Sequence, residues 1–170
     1  ECRISGVPIG LGEPFFDSVE ALMSHMVFSI PGVKGIEFGS GFLGSRMRGS
    51  ENNDQIISLD GRTKTNNSGG INGGISNGND IVFRVAVKPT PSIGINQSTI
   101  DIQTGEKAGL TVSGRHDACI ALRMPVIVEA AAAIVIADLM RIAVGPRDDR
   151  FARIHTNTVK GERSKEKRKE

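Results

Sequence analysis

Residues 66–92 read NNSGGINGGISNGNDIVFRVAVKPTPS. Five glycines come first: Gly69, Gly70, Gly73, Gly74 and Gly78. Ile81, Phe83, Val85 and Val87 then alternate with Val82, Arg84 and Ala86, the period of a half-buried strand. Lys88 follows at the strand end. Pro89 and Pro91 stiffen the chain there, and Thr90 and Ser92 offer hydroxyls. Glycine admits positive φ and lets a ligand approach the backbone closely, and exposed N–H groups in such a loop form a concave anion site. Loop, strand, cation and hydroxyls together suggest a pocket for a phosphate-bearing ligand. The same glycines also read as plain turns, because Asn72-Gly73 and Asn77-Gly78 are ordinary turn dipeptides. Neither G-x-x-x-x-G-K-[ST] nor G-x-G-x-x-G is present.

Upstream, Asp17 or Ser18 caps a helix in which Val19, Leu22, Met23, Met26, Val27 and Ile30 recur at helical spacing. Pro31-Gly32 ends it, and His25 lies off the apolar stripe, on the solvent side. Residues 33–38 (VKGIEF) alternate as a second strand. Residues 4–11, with their glycines and Pro8, read as at best a short edge strand. Residues 39–62 read as a long loop carrying Arg46 and Arg48, either solvated and mobile or a lid over a ligand.

Downstream, residues 98–103 and 110–112 read as a hairpin joined by TGEKAG. Arg115, His116 and Asp117 then precede a long apolar element. Three consecutive residues cannot all face one way, so they form no triad by themselves. Arg115 suits a phosphate or an electron-rich ring oxygen, and Asp117 a general base. The alternative is a salt-bridged loop with Asp117 capping the helix. Pro125 suits a first helical position, and residues 126–143 are apolar almost all round, which predicts a buried helix. That run falls short of the roughly 20 residues needed to span a bilayer, and Glu129 and Asp138 interrupt it, so no membrane partner is expected.

The chain has 170 residues, 38% hydrophobic and 24% charged, enough for one domain with a core. It has seven Phe and no Trp or Tyr, so the core is aliphatic and offers few platforms for stacking bases. The net charge is +2, but residues 160–170 hold six Lys/Arg against three Glu, leaving the rest at −1. A nearly neutral body argues against a nucleic-acid partner. Residues 146–170 read as a charged tail, disordered or helical. Cys2 and Cys119 form no C-x-x-C, so a reducing compartment and no metal site are expected. Residues 1–13 lack a signal-peptide pattern, which fits a cytoplasmic protein.

Seven segments, in order and at compatible spacing, resemble one family. They are GLGEPFFD (10–17), FSIPGVKGIEFGSGF (28–42), MRGSENND (47–54), TNNSGGINGGISNG (65–78), AVKPTPSI (86–93), GRHDACIALRMPVIVEA (114–130) and IVIAD (134–138). The family is chorismate synthase, and the resemblance covers roughly residues 10–142. It implies an α+β fold, a β-α-β sandwich with helices packed between antiparallel sheets, incomplete in this chain. It also implies a homotetramer, reduced FMN as cofactor and 5-enolpyruvylshikimate 3-phosphate as substrate. The implied reaction is the anti-1,4-elimination of phosphate that gives chorismate in the shikimate pathway of aromatic amino acid biosynthesis. In some members NADPH reduces the flavin.

Carried onto matching positions, Gly73, Lys88, Pro89, Thr90, Pro91, Ser92 and Arg115 resemble FMN contacts. Pro31 and Gly32 align with another flavin-contacting pair, one that varies. Asp117 resembles the carboxylate that works with flavin N5 in proton removal. Ala118 and Ser68 depart from the usual residues. The family's two N-terminal histidines and several arginines have no counterpart; His25, His116 and His155 lie in other motifs. The chain therefore reads as the C-terminal portion of such a domain over residues 1–145, followed by the tail, and unable alone to complete the elimination. Two other readings remain: a non-catalytic flavin- or phosphate-binding module, and a nucleic-acid or acidic-surface binder acting through the tail.

Overall fold

The computed structural model describes residues 1–145, and the tail expected at 146–170 lies outside the described residues. The organising element is strand β5 (Ile81–Val87), at the centre of a three-stranded antiparallel sheet. Its neighbours are β1 (Cys2–Ile4) and β2 (Val33–Phe38). Cys2 stands opposite Phe83 and Ile4 opposite Ile81, while β2 pairs from Val33 opposite Val87 to Phe38 opposite Phe83. The alternation along β5 explains its place. Ile81 and Phe83 are fully buried on one face. Arg84 points to the other, where its Nε lies 2.9 Å from Glu37 and a terminal nitrogen donates to the Gly39 carbonyl at 2.7 Å.

The buried face is covered by helices α1 (Val19–Phe28) and α4 (Met124–Val144). Ser18 caps α1, its hydroxyl accepting from the Ala21 N–H at 3.0 Å. Val19, Met23 and Val27 are fully buried, while Leu22, Met26 and Ile30 pack beside them. His25 is exposed, as its place off the stripe implies.

α4 departs from expectation in length and in burial. It runs 21 residues, and with the preceding 3-10 turn (Ile120–Arg123) it is long and apolar enough to cross a membrane. Here it lies along α1 and β1, with Met124, Val128, Ala132, Val135 and Leu139 in the shared core. Much of the rest of its surface is not buried: Val126, Ile127 and Ile134 are exposed off the core stripe, and Ile142 is exposed beyond the stripe's C-terminal end. A helix apolar on all sides needs cover on two faces. Among the described residues a sheet covers only one, as expected of half of a helix layer held between two sheets. Exposed apolar patches of this kind drive association. The chain by itself is expected to self-associate at micromolar concentration, and the double change I127E/I134E to shift it towards monomer in sedimentation velocity without lowering its unfolding midpoint.

The 39–62 segment is folded, not an open loop. It contains two one-turn helices, α2 (Gly41–Gly44) and α3 (Gly49–Asn52), and an antiparallel bridge between Ile56 and Thr63. Side-chain acceptors, which hydropathy does not register, hold it. The Asp54 carboxylate accepts from the Asn67 N–H at 2.8 Å, the Ser68 N–H at 2.8 Å and the Thr65 hydroxyl at 2.7 Å. Gly39, at φ +54°, packs so closely on the Asn67 carbonyl that a Cβ has no room. Burial works to raise the Asp54 pKa, but the bonds from Ser68, Thr65 and Asn67 prevail and hold it below the ordinary carboxylate value.

Its proton therefore binds more weakly in the fold than in the unfolded chain. The stabilisation is complete above the unfolded value near pH ~4 and is lost as pH falls through the lower folded value. Asp54→Ala should cost about 2–4 kcal/mol at pH 7. The gap between wild type and Asp54→Asn should narrow between pH 5 and pH 2.5 in urea titrations. A constant gap would show that the carboxylate charge is not what matters.

The hairpin after Ser92 is displaced from its expected register. β6 (Gln97–Ile100) pairs β7 (Lys107–Leu110), and the turn spans residues 101–106. Asp101 starts that turn early by accepting from the N–H groups of Gln103 at 2.7 Å and Thr104 at 3.2 Å, which takes residues 101–103 out of the strand.

Candidate active site

The glycine-rich stretch forms a tight hairpin, not an open loop. β3 (Ile71–Asn72) and β4 (Ile75–Ser76) pair across Gly73 and Gly74, both at positive φ. Ser76 is buried beneath it, its hydroxyl donating to the Pro8 carbonyl at 2.6 Å and accepting from the Leu11 N–H at 2.9 Å. The Gly74 carbonyl accepts from the Val19 N–H at 2.9 Å, which fixes the hairpin at the start of α1. Gly73 is exposed at the tip, and a Cβ added there would meet nothing within 4 Å.

The other residues gather at the far end of α1. The chain turns through Pro31 and Gly32 into β2, and the Lys88 N–H donates to the Gly32 carbonyl at 2.9 Å. The same turn meets the start of the 3-10 turn: Ile120 Cδ1 lies 3.1 Å from where a Cβ on Gly32 would stand. Pro31, Gly32, Lys88 and the segment that leads from Arg115 and Asp117 into Ile120 thus converge on one end of the sheet. Ten residues of α1, about 15 Å, separate this end from Gly73. Within one chain the fold does not bring Gly73 to Lys88.

The side chains at this end are largely polar and open to solvent. Lys88, Pro89, Pro91, Arg115 and Asp117 are exposed, while Thr90 and Ser92 are half-buried. The Thr90 hydroxyl oxygen is buried and, among the described residues, has no hydrogen-bond partner. A buried hydroxyl without a partner is a costly arrangement, and a phosphate or ring oxygen seated beside it would relieve that cost. Asp117 does not cap a helix. It accepts from an Arg123 terminal nitrogen at 3.0 Å, and Cys119 stands at the cap position instead. Arg123 was not legible as a site feature beforehand, and although the Thr90 hydroxyl was, its burial was not; spacing marks neither, since one contact crosses a turn and the other concerns packing.

Residues 1–141 match a family model described as chorismate synthase. The chain belongs to the chorismate synthase family. It is 59% identical over 140 residues to a chorismate synthase of Chitinophaga pinensis, covering 82% of this chain and 42% of that protein. It is 55% identical over 142 residues to one of Archaeoglobus fulgidus, covering 82% and 39%. A crystal structure of chorismate synthase superposes with a TM-score of 0.64 at 31% identity, over 83% of this chain and 36% of that one. The chain thus spans about two fifths of the length of the curated chorismate synthases it matches. The α+β architecture agrees with that structural neighbour, with helices on one face of an antiparallel sheet.

Proposed function

We propose that this chain supplies the C-terminal part of a chorismate synthase active site, whose reaction is the loss of phosphate from 5-enolpyruvylshikimate 3-phosphate in the shikimate pathway. The observation that carries the reading is the convergence of Gly32, Lys88 and the segment leading from Asp117 to Ile120 at one end of the sheet, beside the unpartnered Thr90 hydroxyl.

The donor set fits reduced FMN, an anion carrying a phosphate and an electron-rich ring. When bound, the reduced flavin supplies transient electron density that helps the substrate phosphate leave. Lys88 and Arg115 offset the negative charge, one as a point charge and the other as a planar fork. Thr90 and Ser92 donate hydroxyl hydrogen bonds, and the two prolines hold the strand end extended. Pro31 and Gly32 form the turn beside Lys88. Asp117, as a carboxylate, accepts the ring proton that the elimination releases. Gly73 finds a place in the homotetramer that the resemblance implies, where the hairpin of one protomer serves its neighbour. NADPH as the source of flavin electrons, and a cytoplasmic location, belong to the same reading.

Anaerobic titration and turnover test the proposal. The full-length protein should bind reduced FMN and release phosphate from the substrate, whereas the 170-residue chain should bind flavin weakly and not turn over. Turnover by the chain alone would defeat the claim that it is one part of a larger site. Flavin binding by the full-length protein without any turnover would favour the non-catalytic module. Lys88→Met should weaken reduced FMN binding by about 2–3 kcal/mol, roughly 30- to 150-fold in Kd.

A further inference from the structure

From the contact between Arg123 and Asp117 we infer that Arg123 is the positioning residue for the Asp117 carboxylate. This inference rests on the reading above that Asp117 takes the proton. Among the described residues, the segment from Thr111 to Ala118 makes one hydrogen bond to the rest of the chain, and it is this ion pair, at 3.0 Å. Every residue from Ser113 to Cys119 is exposed, and none is in a strand or helix. Backbone of that kind has no ladder to fix it, so Asp117 by itself is free to sample many orientations.

Arg123 stands on the opposite footing. It ends the 3-10 turn and forms the N-terminal boundary of α4, directly before buried Met124. That turn is itself wedged against the Gly32 turn through Ile120. The guanidinium therefore projects from a fixed element and holds a carboxylate carried on an unfixed one. Six residues separate the two, and no helix or strand register brings them together. As an exposed ion pair it adds little to global stability. Its effect is geometric: a carboxylate kept within reach of the reacting hydrogen transfers a proton far more often than one that wanders.

Two measurements test this. The first needs no cofactor. Trypsin cleavage after Arg115 in the unliganded 170-residue chain should quicken about tenfold in Arg123→Met and return to within about threefold of wild type in Arg123→Lys, with the thermal midpoint unmoved. The second uses the full-length protein with reduced FMN. Arg123→Met should lower kcat about 10- to 100-fold with KM within about twofold, and Arg123→Lys should recover most of it. Cleavage and kcat both within twofold of wild type in Arg123→Met would overturn the assignment. Asp117→Asn in the same assay separates the two ideas. If it lowers kcat strongly while Arg123→Met does not, the positioning role fails and the Asp117 reading stands. If Asp117→Asn leaves kcat unchanged, both fall.

Discussion

Phe83→Ala is expected to destabilise the chain by about 3–5 kcal/mol. Phe83 is fully buried at the centre of β5, opposite Cys2 of β1 on one side and Phe38 of β2 on the other. Its ring centroid lies 5.8 Å from that of Phe38 at an angle of 39°. Val19, Met23 and Val27 of α1 belong to the same core cluster. Removing the ring leaves a cavity bounded by a sheet on one side and a helix on the other. Neither can collapse into it without breaking hydrogen bonds, so relaxation is small and the cost approaches the upper end of the range. Phe16 is the control: it is 91% exposed, and its change to alanine should fall within about 0.5 kcal/mol of wild type. Urea midpoints of the two variants measure the difference. A loss below about 1 kcal/mol for Phe83→Ala would mean that β5 is not the centre of the core. The site would feel the same loss, since β5 carries Lys88 at its end.

Asp117→Asn in the full-length protein is expected to lower kcat by about 10²- to 10⁴-fold, the usual contribution of a positioned general base. Asparagine keeps the size of the side chain and can still receive the Arg123 hydrogen bond, but it cannot take up a proton. KM should therefore change little, because the loss falls on the transition state and not on substrate binding. Binding of reduced FMN should persist, since Lys88, Arg115 and the two hydroxyls are untouched. The measurement is the anaerobic steady-state rate beside a flavin titration of the same preparation. Equal loss of flavin affinity and of rate would assign Asp117 to binding and would remove the proton-transfer role.

The elements that were legible beforehand are those defined by local periodicity and local caps. The alternation of β5 placed Ile81 and Phe83 inward, and β2 runs Val33–Phe38 where the VKGIEF pattern put it. The apolar stripe of α1 and its Ser18 cap are found as read. Each depends on a few neighbouring residues whose side-chain geometry sets φ and ψ directly. The misreadings involve polar side-chain acceptors, some distant in sequence and some local. Residues 39–62 lack periodicity because Asp54 and Asn67, not hydrophobic contacts, hold them, and polar stitching leaves no hydropathy signal. The β6–β7 register moved because the Asp101 side chain captured two N–H groups, an event of one residue that strand propensity does not weigh.

The sequence by itself determined the family, helix α1 and strands β2 and β5, and it supplied the candidate residues Lys88, Thr90, Ser92, Arg115 and Asp117. It could do so because motif identity and local periodicity are properties of short stretches. Only the tertiary structure decided which of those residues are neighbours. Antiparallel pairing of β5 with β2 brings Gly32 to Lys88, and the path of α4 brings Ile120 to Gly32. The length of α1 carries Gly73 away to the other end. Distance in space follows from how rigid elements of fixed rise are packed, and no reading of adjacent residues contains it.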